Sequence, residues 1–168
     1  MRKLIYLVLA VATITACQQE QRYFAESAEI ETLKSGILAF ENGDWDTWRS
    51  HFADTAKVFN NSKDGIAVDQ RMKDLQGMTS AFSSYGFDHE EEFVEMVIDK
   101  EKESWVYYWA DYNGTANNGK EISVPVHLAV RFVDGKIVTE HIYFDATELN
   151  AVMAEMAAAE AAEAESVE

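Results

Sequence analysis

The chain has 168 residues, 48% of them hydrophobic, with 14 basic against 30 acidic side chains and a formal charge of −16. That length and an aromatic content of 9 Phe, 7 Tyr and 4 Trp fit one domain with a filled core and exclude wholesale disorder. A single cysteine excludes an internal disulfide framework and any multi-cysteine metal site, and the acidic balance argues against nucleic acid and against electrostatic attraction to anionic lipid.

The chain begins with Arg2 and Lys3, an apolar run from Leu4 to Ala12, and the small-residue stretch Thr13-Ile14-Thr15-Ala16 before Cys17. The run is shorter than the roughly 20 residues a spanning helix needs, and the arrangement reads as a secretory signal. Ile14-Thr15-Ala16-Cys17 resembles the lipobox of bacterial lipoproteins, which implies cleavage after residue 16 and lipidation of Cys17. The expected divisions are a signal peptide over 1–16, a lipidated tether over 17–23, a folded domain over 24–149 and an Ala/Glu-rich tail over 150–168. Loss of Arg2 and Lys3 leaves 12 basic against 30 acidic groups, a formal −18. Gln18 lacks the aspartate that retains some lipoproteins in the inner membrane, so the expected place is the cell envelope, at the outer membrane, held by lipid alone.

Apolar residues at Ile30, Leu33, Ile37 and Phe40 recur at helical spacing and predict a helix from Phe24 to Asn42, stopped by Asn42-Gly43. Asp44 caps a second helix whose Trp45, Trp48 and Phe52 share one face. Lys57 to Asn60 reads as a short strand. Val68, Met72, Leu75 and Met78 mark a third helix, and a polar loop runs on through Gly86. Beyond it the pattern is β: Glu92 to Asp99 alternates, Trp105 to Tyr112 is aromatic, and Ile122–Val133 and Lys136–Phe144 flank the hairpin signal Asp134-Gly135. Pro125 points to an edge or bulge. Leu149, Val152, Met153 and Met156 offer one or two docked turns before a solvated Ala/Glu helix. The fold class is α+β, a sheet with helices gathered on one face.

A two-residue turn at Asp134-Gly135 with regular pairing sets Ile137, Thr139, His141, Tyr143 and Asp145 on the face of Val124, Val126, Leu128, Val130 and Phe132. That face is the more apolar of the two and is expected to meet the helices. The opposite face then carries His127, Ala129 and Arg131 with Val138, Glu140 and Ile142. On it Arg131 and Glu140 form a surface pair of little energetic value, and His127 is an interface or packing residue.

The order of elements, the stretch Trp109-Ala110-Asp111 and the ending Arg131-Phe132-Val133-Asp134-Gly135-Lys136-Ile137 to Tyr143-Phe144-Asp145 resemble the SnoaL-like branch of the NTF2-like superfamily, over about Phe24 to Leu149. The resemblance implies a cone, with a curved antiparallel sheet wrapped around the N-terminal helices and a pocket inside. It also implies a homodimer formed through the outer sheet face. In cyclase-type members a late pocket aspartate acts as general acid/base, and the matching position is Asp145. Isomerase members carry a tyrosine inside the first helix, where this chain has none.

The catalytic candidates are therefore Asp145 as acid/base, with His141 and Tyr143 orienting a substrate; the same Asp145 also reads as the cap of the tail helix or as a ligand contact without chemistry. His141 and Asp145 lie too far apart along one strand, roughly 13 Å, to form a direct dyad. Trp48, Trp109, Asp111 and Leu128 are the candidate ligand-binding residues. His89-Glu90-Glu91-Glu92 reads as a solvated approach to a strand. No metal or cofactor is expected, since the four histidines show no ligand spacing and there is no phosphate loop. The expected function is uptake of a small, largely apolar ligand in the cone. The alternatives are an isomerase, cyclase or dehydratase, and a non-catalytic interaction module.

Overall fold

Alternation of apolar residues along four long strands builds one curved sheet, and the helices cover its concave face. The computed structural model describes residues 20–166. The signal peptide over 1–16 and the lipidation site Cys17 lie outside the described residues. The elements are β1 (Tyr23–Phe24), α1 (Ala28–Glu41), α2 (Trp45–Ser50), β2 (Phe52–Asn60), β3 (Ile66–Ala67), α3 (Val68–Thr79), β4 (Phe82–Phe87), β5 (Phe93–Ile98), β6 (Ser104–Ala116), β7 (Glu121–Val133), β8 (Lys136–Phe144) and α4 (Thr147–Ser166). The α+β class holds, with a mainly antiparallel, unclosed sheet in the order β1-β5-β6-β7-β8-β2-β3 and with β4 also paired to β6.

The helices start and stop for local reasons. Ser27 accepts the Ile30 amide at 3.2 Å and opens α1, and Gly43 ends the segment at a φ of +66°, in the left-handed region that glycine enters without strain. Asp44 accepts the Thr47 amide at 3.1 Å and caps α2. This helix ends at Ser50, so Phe52 starts β2 rather than continuing the helix face of Trp45 and Trp48. Two further differences from the sequence pattern are that β2 is longer than Lys57–Asn60 and that the polar loop before Gly86 is the strand β4. Ser83 and Ser84 are exposed on β4, which pairs with the far half of β6 while β5 pairs with the near half.

Pro125 pairs with Asp111 of β6 one residue beyond the end of the β7–β8 ladder, where one side of β7 is free and the missing N–H costs nothing. The core lies between α1, α2, α3 and the inner faces of β2 and β6 to β8, with Ile30, Val58, Val106, Tyr108, Val130 and Ile137 almost wholly buried. Val152 of α4 is also fully buried, so the first turns of the tail helix dock on the core.

The β7–β8 hairpin departs from regular pairing at one residue. Val133 pairs with Lys136 and Phe132 with Ile137, but Arg131 then pairs with Thr139, leaving Val138 as the extra residue of a bulge. A one-residue shift exchanges the two faces of a strand. Beyond the bulge Glu140, Ile142 and Phe144 turn inward, and Thr139, His141 and Tyr143 turn outward.

Candidate functional site

The inner face of the sheet and the helices line a partly open cavity of about 100 Å³. Its wall is mostly aliphatic and aromatic, with Ile37 and Phe40 of α1, Trp48 of α2, Leu75 of α3 and Val126 and Leu128 of β7 among the lining side chains. Three lining residues can ionise: Arg71, Tyr112 and Glu140. Each arrives by the period of its own element. Arg71 precedes Leu75 and Met78 by four and seven positions on α3, and all three line the cavity. Tyr112 follows Val106, Tyr108 and Ala110 on the inward parity of β6. Glu140 is carried inward by the bulge at Val138.

Glu140 is 7% exposed, and its register neighbours Val130 on β7 and Val58 on β2 are both fully buried. Burial pushes the carboxyl up to about 7, against the opposing pull of Arg71. Burial likewise lowers the Arg71 guanidinium, with Glu140 and Asp74 holding it up, yet an arginine keeps its charge at any ordinary pH. No ion pair joins Arg71 to Glu140 among the described residues, and the Arg71 Nε is buried without an acceptor. The Tyr112 hydroxyl is also buried without a partner, and burial pushes its phenol well above the ordinary range. A carboxyl that titrates near neutrality, beside unmatched donors in an apolar chamber, is equipped for proton transfer or for capture of an acceptor-rich ligand.

The residues singled out by sequence divide between this site and the opposite surface. Trp48 and Leu128 line the cavity. The expectation that β8 turns His141, Tyr143 and Asp145 inward is corrected, because the bulge reverses the parity on which it rested. His141 stacks at 4.6 Å on Phe59 and at 6.3 Å beside Tyr143 on the outer face. Tyr143 is 50% exposed. Asp145 is exposed, and its Oδ1 accepts the Thr147 amide at 2.9 Å and hydroxyl at 2.6 Å, as a cap at the start of α4. Those hydrogen bonds hold its carboxyl below the usual range. Trp109 and Asp111 share the outward parity of β6, where Trp109 stacks at 4.2 Å on His127. Glu140 and Ile142, expected outside, are inside. Arg131 pairs with Glu103 rather than Glu140.

The His89–Glu92 run is the solvated approach to β5, with His89, Glu90 and Glu91 exposed, and it also carries a network. His89 bridges Glu92 at 2.9 Å and Glu41 of α1 at 3.0 Å, and Lys34 of α1 meets the same Glu92. The Glu41 carboxylate also accepts the amide of the cavity-lining Phe87. Among the described residues no group of three His, Cys, Asp or Glu side chains is placed to hold a metal ion.

No protein-family model and no curated protein matches the chain. Solved structures do match it in fold. A candidate polyketide cyclase from Xanthomonas campestris pv. campestris superimposes with a TM-score of 0.60 at 18% identity, over 72% of this chain and 93% of that one. An NTF2-like protein of unknown function from Burkholderia pseudomallei matches with a TM-score of 0.60 at 16% identity, over 76% and 98% of the two chains. A candidate SnoaL-like polyketide cyclase from Jannaschia matches with a TM-score of 0.58 at 18% identity, over 80% and 95%. The curved sheet folded over its N-terminal helices thus matches the fold of these NTF2-like and SnoaL-like structures.

Proposed function

We propose that this chain is a cell-envelope protein, anchored at the outer membrane by lipid on Cys17, whose cone takes up a small, largely apolar molecule and exchanges a proton with it at Glu140. The observation that carries the reading is the position of Glu140: a carboxyl 7% exposed, lining an apolar cavity and titrating near 7. Such a group is half ionised at neutral pH and serves equally as acid or base. Tyr112 and Arg71 line the same space and are available to bind the negative charge that develops on a substrate oxygen as its proton leaves. The reaction class is cofactor-independent isomerisation, cyclisation or dehydration, and the acid/base it assigns is Glu140 in place of Asp145.

The test is a screen of small enolisable carbonyl compounds for exchange of the α-proton into deuterated water, followed by NMR. Glu140→Gln should abolish the exchange while Asp145→Asn leaves it intact. Exchange that persists in Glu140→Gln removes Glu140 from the reaction, and binding without exchange in the parent leaves a pure carrier. For the anchor, Cys17→Ser should abolish acyl-chain labelling and release the protein from the membrane fraction; membrane retention would overturn it. No described helix is long and apolar enough to cross a membrane.

A further inference from the structure

We propose that the cavity is selective for a short-chain monocarboxylate and binds it together with one proton, the anion facing Arg71 while Glu140 is held in its acid form. The inference rests on the reading of the cone as a ligand site and adds the charge and size of what it takes.

The geometry supplies four arguments. The first is donor balance. The Arg71 Nε and the Tyr112 hydroxyl are buried and unmatched, and an unmet buried donor is costly. Arg71 and Tyr112 call for acceptors, and a carboxylate supplies two acceptor oxygens.

The second is charge balance within an apolar wall. With Glu140 protonated, Arg71 leaves one uncompensated positive charge among the lining side chains, which a monoanion neutralises and a dianion overshoots. With Glu140 ionised the two charges already balance, and an entering anion meets repulsion. Anion and proton therefore enter as a pair. Glu140 faces Arg71 from α3, Val58 from β2 and Val130 from β7. Arg71 has one other acidic neighbour, Asp74, which is exposed and takes the Gln70 amide. The position of the Glu140 titration near 7 places the switch in the neutral range.

The third argument is size. The cavity of about 100 Å³ is smaller than the roughly 150 Å³ apolar cavity known to hold benzene. It suits a ligand no larger than benzene, and a fused-ring molecule exceeds it. The fourth is the wall itself: Leu75, Ile142 and Phe144 favour an alkyl chain over hydroxyls. The formal −16 of the whole chain slows the approach of an anion without changing the chemistry of the chamber.

The experiment is isothermal titration of the full chain with butyrate, butyramide and succinate between pH 6 and 9, in buffers of differing ionisation enthalpy. Butyrate should bind with uptake approaching one proton above pH 7, its affinity falling about tenfold per pH unit there. Succinate should bind at least tenfold more weakly. Arg71→Met should lose at least tenfold for butyrate while keeping butyramide. Glu140→Gln should bind butyrate with an affinity independent of pH. This second variant keeps the inference testable if Arg71→Met fails to fold. Butyramide binding without butyrate binding, or an unchanged pH slope in Glu140→Gln, overturns the anion inference and leaves the ligand site standing. Failure of all three probes and of benzene to bind overturns both.

Discussion

Glu140 makes stability depend on pH in a calculable direction. Its carboxyl lies near 7 in the folded chain against an ordinary 4.5, so between those values the folded state holds a proton that the unfolded state has released. Stability therefore falls as pH rises from about 4.5 to 7 and stays low above. A rise of that size corresponds to about 3 kcal/mol. Glu140→Gln should remove that fall. Urea unfolding at pH 5 and pH 8.5 should show a steep loss in the parent and little in the variant. Asn61 is a second residue whose role is local and strong. At a φ of +47° its side-chain amide donates to the Phe144 carbonyl at 2.9 Å and accepts the Phe144 amide at 3.1 Å, finishing the β2–β8 ladder with a side chain. Asn61→Ala should cost about 1–2 kcal/mol in the same unfolding experiment.

At the scale of elements, the positions of most helices and strands are legible in the sequence because each carries a clean period. The identity of the site residues is legible only in part, and β8 shows why. Regular pairing from the Asp134-Gly135 turn and inward placement of the apolar residues conflict on this strand. Ile137 belongs to one parity, while Ile142 and Phe144 belong to the other. Only an extra residue between them lets all three face the core, and that conflict was the available signal for both the bulge and an inward Glu140. On β6 aromatic residues fall on both parities: Tyr107 and Trp109 stack with His127 and Trp105 with His141 on the outer face, while Tyr108 and Tyr112 turn inward. Arg71 stands between Gln70 and Met72, and its spacing of four and seven from Leu75 and Met78 was the signal that it shares their buried face.

Two elements outside the cavity allow further tests. Val152 anchors α4 with no exposure at all, so Val152→Ala should cost about 1–3 kcal/mol, read as a lower urea midpoint. His89 joins α1 to the β4–β5 loop, and its hydrogen bonds with Glu92 and Glu41 raise its pKa above 6.5. A histidine raised in this way contributes stability that is complete below its unfolded pKa and lost as pH climbs through the folded one. An NMR titration should place His89 above 6.5, and Glu41→Gln should bring it down.

The whole molecule presents two different sheet faces. The inner one closes on the cavity. The outer one exposes Phe93, Trp109 and Tyr143, each between 43% and 51% accessible. A homodimer of the kind the family resemblance implies has that face to bury, and Trp109→Lys with Tyr143→Lys should then lower the sedimenting mass to that of a monomer. An unchanged mass moves the interface elsewhere. Both Glu140 and His89 favour lower pH, so the chain should be most stable on the acid side of neutrality.

The parallel pairing of β2 with β8 has a consequence in time rather than in space. Val58 must wait for Glu140, more than eighty positions along the chain, before the two can align. Pairings so distant in sequence are slow to form, because the loop between them is closed at an entropic cost before any contact repays it. The helices and the β5–β6 hairpin can form from local contacts, but the chamber has no wall beside Glu140 until the last strand arrives. Its apolar lining is open to water, and to other chains, through the longest part of folding. The function proposed for this protein resides in the part of the molecule that is completed last.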